Sequence, residues 1–445
     1  MIRVRHAPFA LAFALMCFSG PLIAADLLEI YRMALASDPV YSAARASWTA
    51  AQEKLPQGLA GLLPQASLSA STQYNDRDLR FRNPTIPGSQ SQYNSNSASV
   101  SVSQPLYRKQ NFVAYDQGKT QVALADVQFA SAGQDLILRV SQAYFDVLLA
   151  SANLSFTEAQ KKAIGQQLEQ AKRNFEVGNA TITDTHEAQA RFDLVTSQEI
   201  AARADVEVKN RTLEQLIGRV APALAPPAKN FAPSPPAPNA MEPWVERART
   251  NGLAVRIAQE TLNFQSQDVV RNRGAHYPTV DAFASVTESG SGSGVQGGSG
   301  TETNSKIVGL QLAIPLYQGG IVNSRVREAL ANEDKARQDL ENARRSAELA
   351  ARQGYLGVTS SIAQVRALEA AVVSNQSSLD STVLGQQVGV RTQVDVLNAQ
   401  QLLFSARRDL AQARYNYILS LLRLTAAAGE LDEEDLQRIN AWLEK

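Results

Sequence analysis

Few residues of this 445-residue chain have the types and spacing that catalysis requires. Its three histidines, His6, His186 and His276, lie in unrelated segments, and its single cysteine, Cys17, lies near the amino terminus. Residues 292–297 read GSGVQG and match the dinucleotide-binding pattern G-x-G-x-x-G, but they lie in a Gly/Ser-rich stretch between two alternating segments. We therefore expect a flexible loop there, and we predict no enzyme activity, no cofactor and no metal site.

A different pattern occurs twice in the chain. Residues 175–189 read FEVGNATITDTHEAQ and residues 386–400 read QQVGVRTQVDVLNAQ, aligned without a gap at one offset (389 − 178 = 211). Each copy lies between two polar, Ala-rich segments with helical periodicity, so each is interpreted as the turn of a helical hairpin. The glycine ends one helix and a threonine begins the next. The shared turn residues are Val177, Gly178 and Thr181 in the first copy and Val388, Gly389 and Thr392 in the second.

Each turn also carries an acid at the start of its second helix, Asp184 or Asp395, and two interpretations remain open. In the first, the acids complement the positive ends of the helix dipoles, with Thr181 or Thr183 as the cap beside Asp184. In the second, Asp395 and Asn398 lie three residues apart on one helix face and project into a channel as a ring when several copies assemble.

The first 25 residues have the organisation of a signal peptide. Arg3 and Arg5 precede an apolar run over residues 8–18, and small residues follow at the expected cleavage site, after Ala24 or Ala25. The formal net charge is +0, which gives no support to nucleic-acid binding. We expect no later segment to reach the roughly 18 to 20 apolar residues of a membrane-spanning helix. The expected location is thus the periplasm, the exterior or an outer-membrane β-barrel.

Four segments alternate with a period of two, which is typical of strands with one apolar face. They fall at residues 66–74, 94–104, 280–287 and 306–314, with loops predicted at 75–93 and 289–300. Strands of about 9 to 11 residues suit a tilted membrane crossing, yet membrane barrels begin at eight strands. Several chains must therefore contribute, and three chains would give twelve strands and a lumen.

The whole order of elements repeats, which indicates a tandem duplication. Each repeat contains a short helical part, a β-hairpin, a long helix, a turn and a return helix. We predict a signal peptide at 1–25, a first repeat at 26–220, a Pro-rich linker at 221–243, a second repeat at 244–428 and a C-terminal segment at 429–445. The hairpins are predicted at about 64–105 and 278–315 and the turns at 178–183 and 389–394.

These motifs together resemble the TolC family of outer-membrane efflux and secretion channels. The resemblance is carried by LLPQ before the first strand, QPLY and IPLYQGG at the strand-to-helix joints, both VGxxT turns, VDVLNAQ, and ARYNYILSLLRLTAAAGEL at 413–431. It implies a mainly α homotrimer with a β-barrel portion. Twelve strands, four from each chain, would form a barrel in outer-membrane lipid, continued by a long periplasmic α-helical barrel with a mixed equatorial belt.

The resemblance implies a passive exit duct of a tripartite efflux pump or a type I secretion system in a Gram-negative outer membrane. Its partners would be a periplasmic adaptor (membrane fusion) protein and an inner-membrane transporter of the RND or ABC type. The valine, glycine and threonine of both turns would contact the adaptor. The main alternative from another class is a periplasmic coiled-coil adaptor or scaffold, which would share the helices but not the four alternating strands.

The resemblance further implies a latch between subunits at the periplasmic tip of the helical barrel, where the two turns of each chain would lie. Arg391 matches the family's latch arginine, and Thr183 and Asp184 match its first-repeat partners. A family tyrosine in this latch is replaced here by Gln386, which implies the loss of one hydrogen bond.

A pore constriction is implied beside that latch. Asp395 matches the outer of two acidic constriction residues, whereas Asn398 stands where the family has the inner one. We therefore expect an acidic ring weaker than that of the family.

Overall fold

The computed structural model describes residues 24–83, 85, 87–178, 181–228, 231–296 and 299–443, with no side-chain placement for 293–296. The predicted signal peptide up to residue 23, which includes His6 and Cys17, lies outside these ranges. Within them, long helices alternate with two β-hairpins. The helices are α1 (Leu27–Ser37), α2 (Pro39–Gln52), α3 (Lys54–Ala60), α4 (Lys109–Glu176), α5 (Ile182–Ile217), α6 (Met241–Asn251), α7 (Leu253–Arg273), α8 (Ile321–Gln387), α9 (Gln393–Ala427) and α10 (Glu433–Asn440). The strands are β1 (Gln65–Leu79), β2 (Ser89–Tyr107), β3 (Thr279–Gln296) and β4 (Ser299–Ala313).

The break between α1 and α2 follows the local sequence. Asp38 ends α1 and caps α2, because its carboxylate accepts a hydrogen bond from the Tyr41 N–H at 2.9 Å. Pro39 occupies the first turn of α2, where the missing N–H costs nothing. Pro56 lies in the first turn of α3, which tolerates proline for the same reason.

The four strands form one antiparallel sheet in the order β1-β2-β3-β4. Because side chains alternate between faces, the register brings the predicted apolar positions of all four strands to one face. Leu68 pairs with Val100, Val100 with Val286, and Ala282 with Leu310. This apolar face is open: Leu68, Val308 and Leu310 are exposed over 74%, 84% and 72% of their surfaces.

The opposite face is polar. The hydroxyl groups of Ser67 and Ser101 lie 2.8 Å apart, and those of Ser99 and Thr287 lie 2.9 Å apart, so hydrogen bonds link neighbouring strands. On the same face the ring of Phe283 covers Gly309, its partner on β4. A Cβ at position 309 would lie 2.8 Å from the ring Cζ, which explains why glycine is needed there.

The strands are longer than the sequence predicts, with 15, 19, 18 and 15 residues. The loops predicted at 75–93 and 289–300 are mostly strand, because the backbone ladder continues through polar residues after the apolar alternation has ended. The flexible loop predicted at the G-x-G-x-x-G match is also strand as far as Gln296, since these residues belong to β3. The last residue of the match, Gly297, lies outside the described residues. Pro105 does not end β2 but lies at a register shift, where a proline is tolerated.

Two long helical hairpins leave the sheet. Helix α4 has 68 residues and packs along α5, and α8 has 67 residues and packs along α9. At 1.5 Å per residue each long helix spans about 100 Å. Helix α8 contains an 18-residue stretch long and apolar enough, by composition alone, to cross a membrane. By length and composition, the expectation that no later segment reaches this threshold is therefore wrong.

The main core lies where α1, α4, α5, α9 and α10 meet. Tyr144 is fully buried there, and its hydroxyl donates to the carbonyl of Ala225 at 2.7 Å, with the carbonyl of Ala25 also within reach at 3.2 Å. Ala25 also exchanges backbone hydrogen bonds with the Pro-rich segment, donating to Ala223 at 2.7 Å. The Pro-rich segment is thus held in the core by its carbonyl groups, as irregular backbone must be when it is buried.

Candidate functional site

Each helical hairpin ends in a turn of the same construction. Gly178 and Gly389 have φ of +75° and +82°, and both positions have open space where a Cβ would lie. The left-handed backbone, not crowding, therefore favours glycine at these helix ends. Val177 and Val388 are both exposed over 68% of their surfaces, so the two turns present apolar side chains to solvent.

A capping box begins the second helix of each hairpin. Thr181, and not Thr183, is the cap of α5: the Asp184 N–H donates to its hydroxyl at 3.3 Å, and the Thr181 N–H donates to the Asp184 carboxylate at 2.9 Å. Thr392 and Asp395 repeat this exchange at 3.2 and 2.9 Å. The capping interpretation of both acids is therefore confirmed, while the ring of acids needs further copies of the chain and stays a prediction.

The charge of Asp395 is favoured by its own turn. Hydrogen bonds from the Thr392 backbone N–H and then from its hydroxyl hold the pKa of the Asp395 carboxyl below its ordinary value, and the nearby Arg391 charge acts in the same direction. Asp395 is therefore an anion at neutral pH at the start of α9.

The second turn differs from the first at Arg391. The Gly385 carbonyl accepts hydrogen bonds from Val390 and Arg391 at 2.9 and 3.1 Å, which tightens the end of α8. A Cβ at Gly385 would lie 2.7 Å from the Arg391 Cγ, so this glycine makes room for the arginine stem. The Arg391 side chain is exposed, and it takes part in none of the ion pairs found in the described part of the chain.

Gln386 lies in a relay of amides within one chain. Its Nε2 donates to Gln393 Oε1 at 3.3 Å, and the Gln393 amide in turn donates to Gln167 on α4. The relay therefore connects α8, α9 and α4 near the turns. Sequence reasoning missed Gln393 and Gln167, because nothing in the sequence places α4 beside α9.

Asn398 is exposed and accepts a hydrogen bond from Arg191 on α5. Sequence reasoning missed Arg191 as well. One signal for it exists: Arg191 lies 13 residues after Gly178 (191 − 178 = 13) and Asn398 nine after Gly389 (398 − 389 = 9), so both lie within four turns of the hairpin ends.

No group of three or more His, Cys, Asp or Glu side chains suited to a metal ion occurs in the described ranges. His186 lies exposed on α5, and His276 lies in a short 3₁₀ helix before β3. The structure therefore does not bring the two described histidines into one site.

A sheet with an open apolar face, joined to two helical hairpins whose longer helices span about 100 Å, defines a channel-type membrane protein. The model of the outer membrane efflux protein family matches residues 30–219 and 244–430. The chain belongs to this family, which confirms the predicted resemblance and the outer-membrane location.

Several curated relatives are similar over almost the whole chain. Outer membrane protein TolC of Escherichia coli is 35% identical, covering 98% of this chain and 89% of the relative. TolC of Vibrio cholerae is 36% identical, covering 98% of both chains. The alkaline protease secretion protein AprF of Pseudomonas aeruginosa is 34% identical, covering 94% of this chain and 87% of the relative.

Solved structures share the fold at low identity. The CmeC outer membrane channel of Campylobacter jejuni matches with a TM-score of 0.79 at 17% identity, covering 99% of this chain and 97% of that one. VceC of Vibrio cholerae matches with a TM-score of 0.75 at 18% identity, covering 91% and 96%. The predicted fold class, mainly α with a β-barrel portion, is thereby confirmed.

Proposed function

We propose that three copies of this chain form an outer-membrane exit duct, and that the paired turns close its periplasmic end. The duct is passive: substances pass through it, and the energy comes from a transporter in the inner membrane. The observation that carries the proposal is the sheet, whose outermost strands each have a partner on one side only within the described ranges.

An open sheet edge is not tolerated in lipid, since each unpaired N–H and C=O costs several kcal/mol. Strands β1 and β4 are the two edges, and both are 15 residues long. The equal lengths suit pairing of β1 in one subunit with β4 in the next. Three sheets joined in this way give twelve strands and a lumen, whereas two give eight strands and an interior filled by side chains.

The two faces of the sheet fit this arrangement. The apolar face, with Leu68, Val308 and Leu310 exposed, suits lipid, and the hydroxyl-lined face suits an aqueous lumen. The helical hairpins then extend about 100 Å from the membrane, far enough to cross a large part of the periplasm.

The turns are proposed to meet at the far end of the helical barrel. There, Arg391 would reach Thr183 and Asp184 of a neighbouring subunit as a latch, with Gln386 contributing only within its own chain. Asp395 and Asn398 would line the constriction behind it. The exposed valines of the turns, Val177 and Val388, together with the glycines and the caps Thr181 and Thr392, would contact a periplasmic adaptor protein.

The similar proteins include TolC proteins and a protein for alkaline protease secretion. We accordingly propose that the cargo comprises small toxic compounds or unfolded proteins, delivered by an RND or ABC transporter through the adaptor.

The test is membrane fractionation followed by gel analysis without heating. The proposal expects a band of trimeric size in the outer-membrane fraction that converts to the monomer on boiling. A deletion strain should lose efflux or secretion and regain it with the plasmid-borne gene. A monomer in the soluble periplasmic fraction would instead support the adaptor or scaffold alternative. That alternative gives the open apolar face of the sheet no function.

A further inference from the structure

Arg191 connects the two hairpins of one chain near their ends. Its Nη1 donates to Gln401 Oε1 at 2.8 Å and its Nη2 donates to Asn398 Oδ1 at 3.1 Å. The two acceptors are three residues apart and therefore share one face of α9. A guanidinium is rigid and planar, so a two-point contact of this kind fixes the position of α9 along α5.

The bridge lies at the rim of a small apolar cluster. Ile164 on α4, Val195 on α5 and Leu397 on α9 are each at most 4% exposed, and Phe192 packs against them. A groove of about 410 Å³ adjoins this cluster between the same three helices, and Arg191 is among its lining residues. A shift of α9 away from α5 would therefore break the two hydrogen bonds and open the cluster at once.

Arg191 also brings a positive charge to position 398. It takes part in none of the ion pairs in the described ranges, and both of its acceptors are neutral amides. Its charge is therefore not offset by a bonded carboxylate. A carboxylate at position 398 would have the same reach as the present amide oxygen and would form a charge-assisted hydrogen bond with the guanidinium.

We propose that Arg191 is a positioning residue that ties α9 to α5 within each subunit and offsets negative charge introduced at position 398. The second part rests on the proposed function, since it concerns ions passing the constriction. The first part concerns a contact within one subunit and does not depend on transport.

The first experiment measures amide hydrogen exchange of the intact protein in detergent. Arg191→Gln should speed exchange in the first three turns of α9 by about tenfold, because two hydrogen bonds to a charged donor are lost. Arg203→Gln is the matched control, because it is the same substitution on the same helix. Arg203 pairs with Glu199 and Glu158 and, in the described part of the chain, makes no contact of this kind with α9. Equal exchange of α9 in Arg191→Gln and the wild type would overturn the positioning role.

The second experiment measures ion selectivity in planar bilayers for a double-mutant cycle. Asn398→Asp alone should change cation preference less than about twofold, whereas Asn398→Asp with Arg191→Gln should raise it several-fold. An equal rise in both backgrounds would overturn the charge role. If no variant forms a pore, the proposed function fails and the charge role fails with it, but the exchange experiment still decides the positioning role.

Discussion

Asp395 accepts two hydrogen bonds through one oxygen, Oδ2, from the backbone N–H and the hydroxyl of Thr392, both at 2.9 Å. Its other oxygen takes no part in this cap. The same side chain can therefore cap α9 and still present negative charge toward a lumen. The capping and constriction interpretations are thus compatible, and substitutions can separate them.

Asp395→Asn should reduce cation preference in bilayers to roughly half, because each proposed ring loses its carboxylates. Thr392→Val removes the hydroxyl but keeps that charge. It should therefore leave selectivity unchanged while speeding hydrogen exchange in the first turn of α9. Unchanged selectivity in Asp395→Asn would exclude Asp395 from the constriction.

The same site predicts a pH dependence. Hydrogen bonds from Thr392 lower the pKa of Asp395 below its ordinary value of 3.8, so the carboxylate is retained above that value and is lost only as the pH falls through the lower folded pKa. Cation preference should accordingly stay constant from neutral pH down to about pH 4 and decline below it. Reversal potentials over this range test the prediction, with Asp395→Asn as the control. A decline that begins near pH 6 would point to another group.

Arg391→Ser should raise single-channel conductance by loosening the proposed latch. The expectation rests on an exposed guanidinium that lies near Asp395 but forms no direct ion pair within the described ranges of its own subunit. Arg408→Ser is a suitable control, because Arg408 lies on α9, the helix that follows the turn, and pairs with its sequence neighbour Asp409. Equal conductance in Arg391→Ser and the control would speak against the latch.

Gly309→Val should destabilise the sheet by about 1–3 kcal/mol, since the Phe283 ring must move aside for the new side chain. Gly290→Val is the matched control in the same sheet, where the nearest atom to an added Cβ is 4.0 Å away. The measurement is the temperature at which the unboiled oligomer dissociates on a gel. Equal shifts for the two variants would show that the Phe283 contact is unimportant.

Arg139→Met should cost about 3 kcal/mol, because Asp38 is almost fully buried and would lose the guanidinium that binds it at 2.8 Å. Burial raises the pKa of Asp38, but the hydrogen bonds from Arg139 and Tyr41 outweigh it, so the net pKa is lowered. Without Arg139, burial would raise the pKa, and the difference between variant and wild type should shrink as the pH falls toward 4. Denaturant unfolding in detergent measures this difference. Asp135→Asn is the control: Asp135 is the exposed partner of Arg139, and its substitution should cost under about 0.5 kcal/mol.

Local patterns predicted much of the fold. The turn glycines and the common apolar face of four strands follow from interactions between residues close in sequence or from simple alternation. The strand ends did not follow, because a backbone ladder needs no apolar side chains to continue. Asp38 with Arg139, and Arg191 with Asn398, lie 101 and 207 residues apart, so these pairs depend on how whole helices pack.

The two edges of the sheet also bear on how the protein reaches its membrane. If β1 finds its partner only on β4 of another copy, a lone chain has no stable form in lipid, and insertion must accompany association. The rate of assembly should then rise more steeply than linearly with the concentration of exported chains. At low expression the chains would remain in the periplasm with an apolar sheet face uncovered, and holding chaperones would cover the surface that lipid covers after assembly.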